Sequence, residues 1–118
     1  MCIICVKKNG VKPPGEKLLR ACFTNNDDGA GFAYYKPGER VVHIRKGYMT
    51  AEALVEAVRL SGIGRGHVAM YHFRQATHGL VDGGNCHPFP VSNSLARLRE
   101  LSLEVPVAVA HNGIFGSM

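Results

Sequence analysis

No apolar run in this chain approaches the ~18 residues that a membrane-spanning helix needs, so no membrane span or membrane partner is expected. The first residues hold no basic stretch followed by a long apolar core, so no secretory leader is expected either. Internal repeats, low-complexity tracts and linkers are also missing. Cysteine is too sparse for a disulfide scaffold: Cys2, Cys5, Cys22 and Cys86 read as reduced thiols of a cytoplasmic protein. There is no block of like charge. The net charge is +5, but the 14 basic residues are scattered and no aromatic–basic platform accompanies them, so nucleic-acid binding is not expected.

What remains is an ordinary globular balance. At 46% hydrophobic and 19% charged, the chain has no disorder signature. Its 118 residues suit one domain spanning 1–118. A chain of this length should bury roughly two-thirds of its unfolded surface.

Residues 2–6 are β-branched and apolar and read as a buried strand. Residues 17–24 fit a short helix or an extended segment equally well. Residues 30–35 and 40–46 read as strands joined at Lys36-Pro37-Gly38-Glu39, with Val42 and Ile44 on one face. Thr50 is placed to cap a helix whose apolar stripe is Ala51, Leu54, Val55 and Val58, ended by Ser61-Gly62. Residues 67–74 form the strongest strand, apolar on both faces. A glycine-rich loop follows over 75–85. Leu95, Leu98 and Leu101 suggest a short helix, and residues 105–110 a last strand that tolerates Pro106 near its start. Strands in hairpins with helices between them predict a mostly antiparallel α+β arrangement buried on both faces.

Four stretches could carry chemistry. Cys2 follows the initiator Met1. If Met1 is removed, Cys2 gains a free α-amine, whose ordinary pKa of about 7.7–8.0 lets it act as base for its own thiol. The same residue also fits a plain buried strand opening. Cys2-x-x-Cys5 with Cys86-His87 invites a zinc reading, but strand residues three apart point to opposite faces, so no metal and no cofactor is expected. Arg74 closes a buried strand, where a guanidinium is costly unless it meets an acid. It suits either capture of a carboxylate by its planar fork or pairing with Asp27, Asp28 or Asp82. Thr77 and His78 stand beside it as short donors. Asn112-Gly113 is an ordinary turn sequence, and it is also a good pair of donors for an oxyanion.

The order of these motifs is more informative than any one of them. Cys2, Asp28-Gly29-Ala30-Gly31, His72-x-Arg74-x-Ala76-Thr77-His78-Gly79, Asn85-x-His87-Pro88 and His111-Asn112-Gly113 together resemble class II glutamine amidotransferases, of the N-terminal nucleophile (Ntn) hydrolase superfamily. The resemblance implies a four-layer α-β-β-α sandwich. It implies Cys2 as nucleophile on the glutamine side-chain amide, Arg74 on the substrate α-carboxylate with Thr77 and His78 beside it, and Asn112 and Gly113 as the oxyanion hole. His87 matches a motif histidine with a structural role. The products would be glutamate and ammonia.

The chain also departs from the family. Gln75 stands where members often carry tryptophan. The family aspartate that holds the substrate α-amine, downstream of Asn-Gly, has no counterpart in a chain ending at Met118. The fold is therefore expected to be incomplete, and ammonia to go to an acceptor protein or a missing synthase domain. Homo-oligomerisation is a further expectation. Two rival readings are an Ntn amidohydrolase acting on another amide and an inactive Ntn-fold binding domain.

Overall fold

The computed structural model describes residues 1–76 and 79–112. Thr77, His78 and Gly113, all named above as site residues, lie outside the described residues.

The chain order is β1 (Ile3–Lys7), α1 (Glu16–Asn25), β2 (Ala30–Tyr35), β3 (Val42–Tyr48), α2 (Ala51–Ser61), β4 (Val68–Phe73), a 3₁₀ turn (Gly83–Asn85), β5 (Phe89–Pro90), α3 (Leu95–Leu98), β6 (Ser102–Val105) and β7 (Ala108–Val109). Five strands form one antiparallel sheet in the order β1-β4-β2-β3-β6. The short strands β5 and β7 form a second antiparallel pair.

The first sheet uses its two faces differently. In register, Ala30 faces Phe73, Phe32 faces Tyr71 and Tyr34 faces Ala69. These side chains share one face, as period-2 alternation requires. Leu19 and Phe23 of α1 and Leu54 of α2 cover that face, and the resulting core is almost wholly buried. Leu19 and Phe23 are one helical turn apart, which resolves the ambiguous 17–24 segment as helix. Thr50 Oγ1 accepts from the Ala53 N–H, and Gly62 adopts φ 75°, so both expected ends of α2 hold.

On the opposite face, Ala33, Ile44, Leu103 and Val105 form a second apolar cluster, with Ala108 of β7 packed against it. The second sheet therefore begins to cover the side that the helices leave bare. The described residues supply layers in the order α-β-β. This is the antiparallel α+β architecture expected, with the sandwich left unclosed. Beside the second sheet the described residues supply the four-residue helix α3, next to β5, where the expected sandwich has a full helical layer.

Three elements differ from expectation. The expected strand over 105–110 is two strands in two sheets: β6 pairs with β3, and β7 pairs with β5. Pro106 lies between them. It cannot donate to a ladder, so the chain leaves one sheet there and enters the other. The strand expected at 40–46 runs instead over Val42–Tyr48, because a register shift at Ala30/Gly31 accommodates Gly47 at φ 88°. Leu101 lies outside the helix suggested by its spacing; α3 ends at Leu98.

Candidate active site

Cys2 stands just before β1, at the sheet edge beside β4. Its main-chain N–H donates to Asn112 Oδ1 at 3.0 Å. The Gln75 N–H approaches the Cys2 sulfur at 3.4 Å. The sulfur in turn faces the Gln75 carbonyl at 3.8 Å. The Met1 α-amine donates to Gln75 Oε1 at 2.8 Å. Residues far apart in sequence thus meet within hydrogen-bond reach, because β1 and β4 are neighbours and the chain beyond β7 returns beside them.

Asn26 secures the chain start from beneath. It is 6% exposed, and its Nδ2 donates to Met1 O at 2.5 Å and to Phe73 O at 3.4 Å. Asn26→Ala leaves the buried Phe73 carbonyl without that donor, and an unmet buried polar group costs about 1–3 kcal/mol. The expected result is a fall of that size in unfolding free energy by urea titration. An unchanged midpoint would show that Asn26 does not hold this junction.

Arg74 follows β4 and is 6% exposed. Its Nη1 donates to Leu80 O at 2.6 Å, which orients the guanidinium. Its main chain continues the β2–β4 ladder past the strand end: Arg74 N–H donates to Gly29 O at 2.8 Å, and Asp28 N–H to Arg74 O at 3.0 Å. The Asp28 carboxylate accepts from the Ala76 N–H at 2.8 Å. Asp28 therefore shapes the start of the loop that presents Arg74. Asp82, another acid considered for Arg74, accepts from Arg99 at 3.1 Å.

Behind Asn112 lies a group of three imidazoles. His72 is fully buried on β4 and faces away from the helices, in register with Gly31. The His87 ring stacks on it with centroids 4.2 Å apart and an interplanar angle of 16°. His111 meets His87 edge-on at 4.8 Å. Burial, then the neighbouring His72, His111, Lys46 and Arg74, pushes His87 down to about 3. Burial also lowers His72 to about 4, opposed by its hydrogen bond to the His111 backbone and aided by the charges of His111 and Arg74. Among the described residues, no group of three or more His, Cys, Asp or Glu is arranged to hold a metal ion.

Glycine makes this stacking possible. A Cβ on Gly31 would lie 2.2 Å from His87 O and 2.6 Å from Lys46 Cβ. A Cβ on Gly29 would lie 2.4 Å from Cys86 Sγ. The Cys86-His87 segment therefore rests directly on the Gly29–Gly31 backbone. Lys46, across from Gly31 on β3, is 2% exposed. Its Nζ donates to Leu98 O at 2.7 Å and Gly84 O at 3.3 Å and sits 3.9 Å over the Phe89 ring. Burial lowers its pKa to about 8. Lys46 ties the 84–98 connection to the sheet.

Sequence reasoning brought Cys2, Arg74, His87 and Asn112 forward, and the structure gathers them at one end of the first sheet. It missed Asn26, Gln75 and Lys46. Lys46 shares the period-2 parity of Val42 and Ile44, so alternation points it to their face, and only its charge reads against burial. Asn26 reads as a loop residue. The spaced glycines at 29 and 31 were the available signal that another segment crosses β2 closely.

No curated protein and no solved structure matched the chain. The family model described as glutamine amidotransferases class-II matches residues 13–115. That span contains Arg74, His87 and Asn112 and begins after Cys2. Matched over most of its length, with the motif residues converging at one end of an antiparallel α+β fold, the chain belongs to the class II glutamine amidotransferases.

Proposed function

We propose that this chain hydrolyses the side-chain amide of glutamine through Cys2, releasing ammonia and leaving glutamate. The observation that carries the reading is the contact between the Cys2 nitrogen and Asn112 Oδ1, with Gln75 N–H on the sulfur and Arg74 in the adjoining position. An amide that accepts through Oδ1 keeps its Nδ2–H groups as donors. They are the candidate oxyanion donors for a tetrahedral intermediate formed on Cys2.

With Met1 attached, the Cys2 nitrogen is a peptide nitrogen and cannot accept a proton. Once Met1 is removed it becomes an amine, and the cycle balances. The neutral amine takes the thiol proton, and the thiolate attacks the amide carbon. The resulting ammonium returns that proton to the departing nitrogen, giving ammonia and a γ-glutamyl thioester. Water then attacks the thioester, with the amine again taking the proton. Hydrolysis yields glutamate and restores the thiol. Arg74 grips the substrate α-carboxylate, and Thr77, His78 and Gly113 complete the site. The ammonia passes to an acceptor protein or synthase domain. A cytoplasmic location fits the free thiols.

Arg74→Lys tests the substrate assignment. Lysine keeps the charge and loses the planar fork. KM for glutamine should rise at least about tenfold, equivalent to about 1.4 kcal/mol, while Tm shifts by only a few degrees. Protection of Cys2 from alkylation by glutamate should weaken in parallel. A large fall in Tm with protection intact would assign Arg74 to the scaffold and remove it from substrate binding.

A further inference from the structure

Asn112 can serve Cys2 only if its backbone is held, and the described structure shows two imidazoles gripping the residue before it. His72 Nε2 lies 3.3 Å from His111 O. A carbonyl only accepts, so Nε2 carries the hydrogen. The His111 N–H points at His87 Nδ1, 3.4 Å away. An N–H only donates, so His87 Nδ1 is bare and its hydrogen sits on Nε2. The N–H and C=O of His111 are thus each taken by one ring of a stacked pair. The pair is itself anchored: His72 is fully buried in the central sheet, and His87 is seated on Gly31.

We propose that His72 and His87 form a neutral imidazole clamp on His111 that positions Asn112 against Cys2. They are positioning residues, since their hydrogen bonds go to His111 and not to Cys2. The functional consequence rests on the glutamine-hydrolysis reading above; the clamp does not. The clamp needs both rings uncharged and in the Nε2–H form. A proton on His87 Nδ1 would turn an acceptor into a donor facing the His111 N–H. It would also place a cation among Lys46 of β3, Arg74 beyond β4, His72 and His111. Among the described residues His72 Nδ1 is buried with no hydrogen-bond partner, so the Nε2–H form leaves only a bare acceptor there, and protonation would bury an unmet donor. Burial holds both rings well below the usual histidine range, with these neighbours adding to it at His87; at His72 the hydrogen bond to His111 O works against burial without overcoming it.

The first test needs no activity. Nitrogen-15 NMR of the histidine rings in the full chain at pH 5.5 should show His72 and His87 neutral, each with its hydrogen on Nε2. Either ring protonated, or carrying hydrogen on Nδ1, overturns the clamp.

The second test uses the Met1-processed chain. Asparagine places an acceptor near the Nδ1 position of histidine, and glutamine places a donor near Nε2. His87→Leu and His72→Leu should each lower kcat for glutamine about 10²-fold, a loss comparable to that of one oxyanion donor, with KM changed less than threefold. His87→Asn and His72→Gln should recover at least tenfold of that loss. Leucine variants with full kcat overturn the positioning role, as does equal loss in the leucine and amide variants. If the wild-type chain shows no glutaminase, the function reading fails while the NMR result still decides the clamp.

Discussion

Cys2→Ala in the Met1-processed chain should remove glutaminase activity by at least about 10³-fold, since loss of a nucleophile in comparable triads costs more than this. Retaining Met1 on the otherwise unchanged protein should have a similar effect. The two results separate thiol from amine: the first removes the proposed attacking atom, and the second turns its proposed base into a peptide nitrogen. A glutamine analogue bearing a diazo-ketone should alkylate Cys2 ahead of the other thiols in the processed chain. Nucleophilicity follows thiolate character and access. Cys86 is fully buried and Cys22 partly so, and burial pushes both thiols up. Cys5 packs against the helix-covered core. Peptide mass spectrometry reads the outcome. Equal labelling of all four cysteines, or full activity with Met1 in place, would return Cys2 to a role as a strand residue.

Gly31→Ala should be strongly destabilising for the addition of a single methyl. The added carbon would sit 2.2 Å from His87 O and 3.0 Å from Lys46 Cα. Both are backbone atoms, so no flexible side chain can swing aside. Overpacking of a tight site typically costs 1–3 kcal/mol and occasionally more. With both neighbours rigid, about 3 kcal/mol and a fall in Tm on the order of 10 °C are expected. Gly64→Ala is the control: nothing lies within 4 Å of the place its methyl would occupy, and a change within about 0.5 kcal/mol is expected. Equal melting of the two variants would mean that His87 does not rest on β2. Because Gly31 seats His87, the variant should also loosen Asn112. Residual activity should then fall further than the melting temperature alone explains.

Much of the fold was legible because it rests on local signals. Thr50 and Gly62 end α2 through their own side chain and backbone freedom. The apolar and aromatic makeup of 30–35 and 67–74 marks both as strands without reference to anything distant. Cys2, Arg74 and Asn112, on which the proposed site is built, stand out in the sequence as a thiol, a fork and an amide in a telling order along the chain.

What the sequence could not decide is long-range. The split of 105–110 into two sheets depends on where β3 and β5 lie when the chain reaches Pro106, and no local propensity records that. Lys46 falls on the face of Val42 and Ile44, where a charge looks misplaced, and only the carbonyls of Gly84 and Leu98 arriving from a distant segment make its burial tolerable. Asn26 becomes a support only because β4 brings Phe73 O beneath it while the chain start passes overhead. The three histidines are scattered motif members in sequence. Only the fold stacks His72 on His87 in a buried space, and the hydrogen positions of these two rings follow from the His111 C=O and N–H that they meet. By itself, the sequence determined which side chains are available and which faces are apolar, because those depend on neighbours a few residues away. Tertiary structure alone decided which charges are buried and which atoms point at Cys2, because those depend on desolvation and on contacts between segments distant along the chain.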